Sequence, residues 1–190
     1  MLNLTNTCEI AREVNETMLI IFVSFLLQFG TPFEPISSAP VVSSGAIKVD
    51  GKLNETAWKE AQQLAPMSVL GGGVSPVQPV VLVCHDEVNL YVGAILPKQA
   101  KKPPKITVKE RDGEVWQDDA FEVFLAPDRA SKRYYQFIAN AGGFRWDSLG
   151  KDGGWNGEWH VATNADANLD HWSIEFAIPF ATVGAKPSGV

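Results

Sequence analysis

From Trp172 to Ile178, large apolar residues alternate strictly with Ser173, Glu175 and Ala177. The alternation puts Trp172, Ile174, Phe176 and Ile178 on one face, as in a strand that packs one side on a core. Pro179 ends it. Val80 to Cys84 is instead a continuous apolar run, the pattern of a strand covered on both faces. Leu90 to Leu96 is a further strand, and the polar turn from His85 to Asn89 predicts that the two form a hairpin. Strands are also expected in the second half of the Trp116 to Leu125 stretch, over Tyr134 to Asn140 and over His160 to Thr163. Earlier in the chain, Ile47 to Leu53 reads as a short strand ending in an Asp50-Gly51 turn. Asn54 to Ala61 reads as a short helix with Asn54 as its N-cap. Trp58 and Ala61 fall on one face of that helix, so Trp58 is assigned to the core. Phe144 to Trp159 is rich in Gly and Trp and carries no clear period. Short strands, regular turns and little helix predict an all-β, jelly-roll-like antiparallel β-sandwich with one short helix near its N-terminus.

The chain of 190 residues is long enough for one domain and a leader. Met18 to Phe29 is apolar apart from Ser24 and Gln28, a length suited to the centre of a signal peptide and short for a membrane span. The segment before it carries Glu9, Glu13 and Glu16 against Arg12, so Met18 is an alternative start. Residues 1–30 are therefore expected to be a signal-peptide-like leader and 31–45 a Pro/Ser linker. The folded domain is placed at 46–190, outside the cytoplasm, in a secreted or periplasmic setting. The net charge of −6 argues against nucleic acid and against anionic membrane as partners beyond the leader. Cys8 and Cys84 lie in different regions without metal spacing, and Cys84 reads as a small buried apolar residue. His85, at a strand end, is expected to be solvated or hydrogen-bonded.

The chemistry concentrates in Trp116-Gln117-Asp118-Asp119-Ala120-Phe121-Glu122. An indole covers the C–H face of a pyranose, and carboxylates accept hydrogen bonds from its hydroxyls. The same residues also fit a core strand with solvated acids. Glycoside hydrolysis needs two carboxylates flanking a bond. Asp118 and Asp119 would point to opposite faces of a strand, and Asp118 and Glu122 would lie roughly 13 Å apart along one. Intrinsic catalysis is not expected.

Four stretches together resemble the carbohydrate-binding module family 9 domain. They are Val49 to Leu53 with Trp58 and Ala61; Asp86 to Val92 (DEVNLYV); Arg111-Asp112-Gly113 running into Trp116 to Leu125; and His171 to Phe180 (HWSIEFAIPF). The resemblance runs from about Ile47 to the end. It implies a non-catalytic sandwich that binds polysaccharide or oligosaccharide, including chain ends, as an accessory module of a secreted carbohydrate-degrading protein. An attached glycoside hydrolase domain outside this chain is the implied partner. Structural calcium is implied as well, with Asp50, Asp112, Asp118, Asp119 and Asp152 as candidate acids. On this resemblance Trp116 matches one of two sandwiching indoles, Glu122 a sugar-binding carboxylate and Asn140 a polar position near the site. Trp155 or Trp159 stands in for the second indole. Two departures stand out. Ile138 occupies the place of an Arg in sugar-binding members, and the chain stops where the family goes on to a further strand. The alternatives are a spacer or protein-interaction sandwich without sugar affinity, and a haem-binding relative using Met67 with His85, His160 or His171.

Overall fold

The computed structural model describes residues 39–64, 66–68, 73–98, 102–127 and 133–186. The expected leader and most of the expected linker lie outside the described residues. Among them the chain forms eight strands: β1 Gln62–Gln63, β2 Val80–His85, β3 Asn89–Pro97, β4 Ala120–Leu125, β5 Tyr135–Asn140, β6 Arg145–Leu149, β7 His160–Asn164 and β8 His171–Pro179. A five-stranded antiparallel sheet runs β1-β2-β3-β8-β7, and a three-stranded one runs β4-β5-β6. Their facing sides enclose the core: Val81 and Val92 from the larger sheet meet Phe121, Val123 and Phe137 from the smaller. This is the sandwich that the alternation predicts.

The strongest pattern in the sequence sits at the centre of the larger sheet. Trp172, Ile174, Phe176 and Ile178 all point into the core from β8. Phe176 stacks flat on Trp159, with ring centroids 5.5 Å apart and planes 2° from parallel. The β2–β3 hairpin also forms as expected, paired from Val80↔Ile95 to His85↔Leu90. Asp86 closes its turn by accepting hydrogen bonds from the Val88 and Asn89 N–H groups at 2.8 and 2.7 Å. His85 is buried and hydrogen-bonded through Nδ1 to the Asp86 carbonyl. Cys84 is fully buried, and desolvation together with the nearby Asp86 charge pushes its thiol up to about 12.

Three local expectations are corrected. Ile47 to Leu53 is not a strand. It runs across the outer face of the larger sheet, where the Asp50 and Gly51 N–H groups donate to Glu175 Oε2 at 2.8 and 2.6 Å. The bend at Asp50-Gly51 is present, and Gly51 takes a φ of 86° there. The expected helix is a single 3₁₀ turn, Thr56–Lys59, preceded by Glu55, which makes no side-chain cap, in place of Asn54. From this turn the Trp58 indole reaches inward, and its Nε1 donates to Glu175 Oε1 at 2.9 Å. Trp58 is accordingly a core residue, as expected. Finally, β6 lies inside the Gly/Trp-rich segment. Its core-side positions include Arg145 and Asp147, so no hydrophobic period announces it.

Glu175 explains why the second face of β8 is buried too. It is 0% exposed, yet three donors converge on its two oxygens. Burying a carboxylate is costly unless it is hydrogen-bonded. Desolvation raises its pKa against the pull of those three bonds.

Candidate functional site

The outer face of the smaller sheet gathers the aromatic and carboxylate groups. Register fixes which residues meet. Glu122 pairs with Ile138 and Ile138 with Trp146, so these three form one row across β4, β5 and β6. Phe124, Gln136 and Ser148 form the next row. Trp116 sits on the 3₁₀ turn Val115–Gln117, just ahead of β4, and brings its ring onto Trp146. The two indoles meet edge to face, with centroids 5.4 Å apart and planes at 80°. They rest on a small apolar floor of Val115, Ala120 and Ile138, flanked by Val108 and Phe144. Both indoles are half-buried.

The turn that presents Trp116 is held from behind by Asp118. This carboxylate accepts from the Thr107 and Val108 N–H groups at 2.8 and 2.9 Å, from the Thr107 hydroxyl, and from Asn140 Nδ2 at 2.9 Å. Burial works to raise its pKa, but the four bonds outweigh it and hold Asp118 below the usual carboxylate range. Asp118 therefore precedes the strand and does not share a strand face with Glu122. Asn140 is equally committed. Its Nδ2 also donates to the Val108 carbonyl at 2.9 Å, and its Oδ1 accepts from the Gly142 and Phe144 N–H groups at 3.1 and 3.0 Å. At 0% exposure it braces the loop and the β5–β6 turn and has no face open to a ligand.

Glu122 lies almost wholly below the surface, with Gln136 Nε2 donating to its Oε1. Desolvation pushes its pKa up to about 7, with the Gln136 bond acting against the shift. Near neutral pH the group thus exchanges between an acceptor-only carboxylate and a carboxylic acid that can also donate.

Trp116 and Glu122 therefore share a face, while Trp155 and Trp159, the other two tryptophans expected there, do not join them. Trp159 is 1% exposed, wedged between Phe176 and Phe137, with Arg145 over its ring at 5.0 Å. Its Nε1 donates to the buried Asp147 at 3.1 Å, so it is a core residue. Trp155 packs on Tyr135 and Phe137, which lie on the core side of β5 and face away from Trp116. The indole that packs beside Trp116 on this face is Trp146, and Gln136 is the polar group bonded to Glu122. Sequence reasoning missed Trp146 because it did not place β6, and missed Gln136 because the expected strand over Tyr134 to Asn140 carried no register against β4 to set Gln136 diagonally across from Glu122.

The acids considered for calcium are dispersed and already engaged. Asp50 pairs with Lys48 at 3.3 Å, Asp112 with Arg111 at 3.5 Å, Asp119 accepts from the Lys105 N–H at 2.7 Å, and Asp152 from the Gly154 N–H at 3.0 Å. Among the described residues no three His, Cys, Asp or Glu side chains come together to hold a metal ion. Met67 packs against the core cluster.

Comparison with solved structures gives matches at low identity. A family 9 carbohydrate-binding module from Caldicellulosiruptor kristjanssonii in complex with cellotriose is 17% identical, with a TM-score of 0.52, over 74% of this chain and 66% of that one. A family 9 module from the same organism in complex with glucose gives 17% identity and a TM-score of 0.52, over 73% of this chain and 67% of that one. A protein from Bacteroides uniformis, described as a candidate carbohydrate-binding protein, gives 15% identity and a TM-score of 0.54, over 76% and 75% of the two chains. These likenesses bear on the sandwich fold. A comparison with curated proteins gives no match. The model of the carbohydrate family 9 binding domain-like family matches residues 49–189, most of the chain, and the protein belongs to that family of carbohydrate-binding, non-catalytic modules.

Proposed function

We propose that the outer face of β4, β5 and β6 is a glycan-binding surface. The observation that carries this reading is the row of Glu122, Ile138 and Trp146 across the sheet, with Trp116 packed edge to face on Trp146. Adjacent strands are about 4.8 Å apart, so the row from Glu122 to Trp146 is about 10 Å across, wide enough for a pyranose ring. A sugar placed there lays its C–H face on the indoles and turns its hydroxyls toward Glu122 and Gln136. Ile138 stands where the resemblance expects an Arg and lies buried under the indoles, so affinity rests on stacking more than on charged hydrogen bonds. In this reading the chain is an accessory module that holds an attached carbohydrate-degrading domain to its substrate outside the cytoplasm. Neutral oligosaccharides such as cellotriose, the ligand named for the related C. kristjanssonii module, are the first to try.

Titration of the chain with cellotriose, followed by Trp fluorescence and calorimetry, tests the proposal. Saturable binding is expected, weakened at least tenfold by Trp116→Ala and less by Trp116→Phe. A second reading, a sandwich that serves as spacer or interaction module, is favoured by the burial of Glu122 and the full internal commitment of Asn140. Absence of binding to cellotriose and to xylotriose in a chain of unchanged melting temperature would select it.

A further inference from the structure

The loop between β6 and β7 wraps the outer edge of β6. At one end Gly153 lies against Trp146, where an added Cβ would come within 3.1 Å of the indole. Two residues later the chain has crossed to the other side of the sheet. Trp155 packs there on Tyr135 and Phe137, with ring centroids at 5.2 and 6.0 Å. Beside the half-buried Trp155 ring opens a depression of about 430 Å³ lined by Asn156, Glu158, Pro179, Ala181 and Thr182.

Its parts are held rigidly. The buried Asp147 accepts from the Gly157 N–H at 2.6 Å and so fixes the backbone next to Trp155. The Thr182 hydroxyl donates to the Glu158 carbonyl at 2.6 Å and ties the loop to the segment after β8. Arg111 Nε donates to Asn156 Oδ1 at 2.9 Å and orients that amide. A propped indole with an oriented amide and an exposed carboxylate on its rim combines an apolar platform with a few fixed polar groups, as small-ligand sites do.

We propose that this depression is a second glycan subsite, taking one hexose residue of a neutral chain with its ring on Trp155 and its hydroxyls on Asn156 and Glu158. The Glu158 carboxylate lines the depression and the chain carries a net charge of −6, which disfavours anionic sugars. The subsite lies across β5 from Trp116 and does not depend on that surface. Two sites on one module would strengthen attachment to a polymer through effective concentration, with no new contact at either site.

The test follows indole and backbone amide resonances by NMR during cellotriose titration of the whole chain. Three proteins are compared: wild type, Trp116→Ala, and Ala181→Arg, which fills the depression from an exposed position. Saturable shifts of the Trp155 indole and of Asn156 and Gly157, persisting in Trp116→Ala and weakened at least tenfold in Ala181→Arg, are the expected result. Shifts confined to Trp116 and Trp146, with Trp155 unmoved, would overturn this subsite and leave the surface proposed above standing. Shifts confined to Trp155 would uphold the subsite and overturn that surface. No saturable shift anywhere would overturn both.

Discussion

Two buried glutamates show how single residues set the chemistry of this molecule. Glu122 has a pKa of about 7 in the fold, above the 4.5 of an unburied glutamate. A raised carboxyl pKa contributes stability that is fully present below about pH 4.5 and is lost as pH rises through about 7. The shift corresponds to about 3 kcal/mol on an order-of-magnitude scale. Glu175 is shifted in the same direction, so the two effects add. Chemical denaturation of Glu122→Gln at pH 5 and pH 8 should show a smaller loss of stability across that interval than wild type. An equal loss would mean that Glu122 does not titrate there. Glu175→Ala is expected to behave differently, because it orphans the Asp50 and Gly51 N–H groups and the Trp58 indole N–H together. Each buried donor left without a partner costs about 1–3 kcal/mol. A loss of several kcal/mol in urea denaturation is the expected outcome. Gly93 is the complementary case on the neighbouring strand. A Cβ there would sit 2.6 Å from Leu53 and 2.9 Å from Trp58, so Gly93→Ala should cost about 1–3 kcal/mol by overpacking.

Among elements, legibility followed how far side-chain type matched side-chain direction. β8 was plain because its core face is entirely large and apolar. The β2–β3 hairpin was plain because the turn residues, Asp86 above all, are polar between apolar runs. β6 was hidden because Asp147 and Arg145 point to the core side, where they satisfy Trp159, Gly157 and each other's surroundings. The segment before β1 misled in the opposite direction. Ile47 and Val49 look like a strand, but that segment gives the Asp50 and Gly51 N–H groups to a side chain 125 and 124 residues away, and spacing along the chain cannot reveal such a partner. Gly51 is the pivot of this arrangement: it has a positive φ, and an added Cβ would meet the Thr163 carbonyl carbon at 2.4 Å. Gly51→Ala should therefore loosen the whole segment over the larger sheet. Faster amide hydrogen exchange at Asp50 and residue 51, with β4 to β6 unchanged, is the expected signature.

At the scale of the molecule, the two sheets divide the work. The larger sheet is covered on both sides, by the core and by the N-terminal segment with Trp58. The smaller sheet presents the Trp116 and Glu122 face. The sandwich and the family were legible because the landmark stretches keep their order along the chain. The site was legible only in part: Trp116 and Glu122 follow from one continuous stretch, but Trp146 joins them through pairing across three strands. For the same reason Asn140 and Trp159, polar and aromatic in the right region, were natural candidates, although their buried partners occupy them fully.

If Trp116 and Trp146 act together as the sugar platform, removing the second indole must weaken cellotriose binding, and the affinity of Trp146→Ala is the measurement that decides it. Calorimetry should show binding at least tenfold weaker than wild type, with a melting temperature high enough that the protein is folded throughout the titration. Undiminished affinity in that folded variant would contradict the claim and remove the site from this face of the sheet.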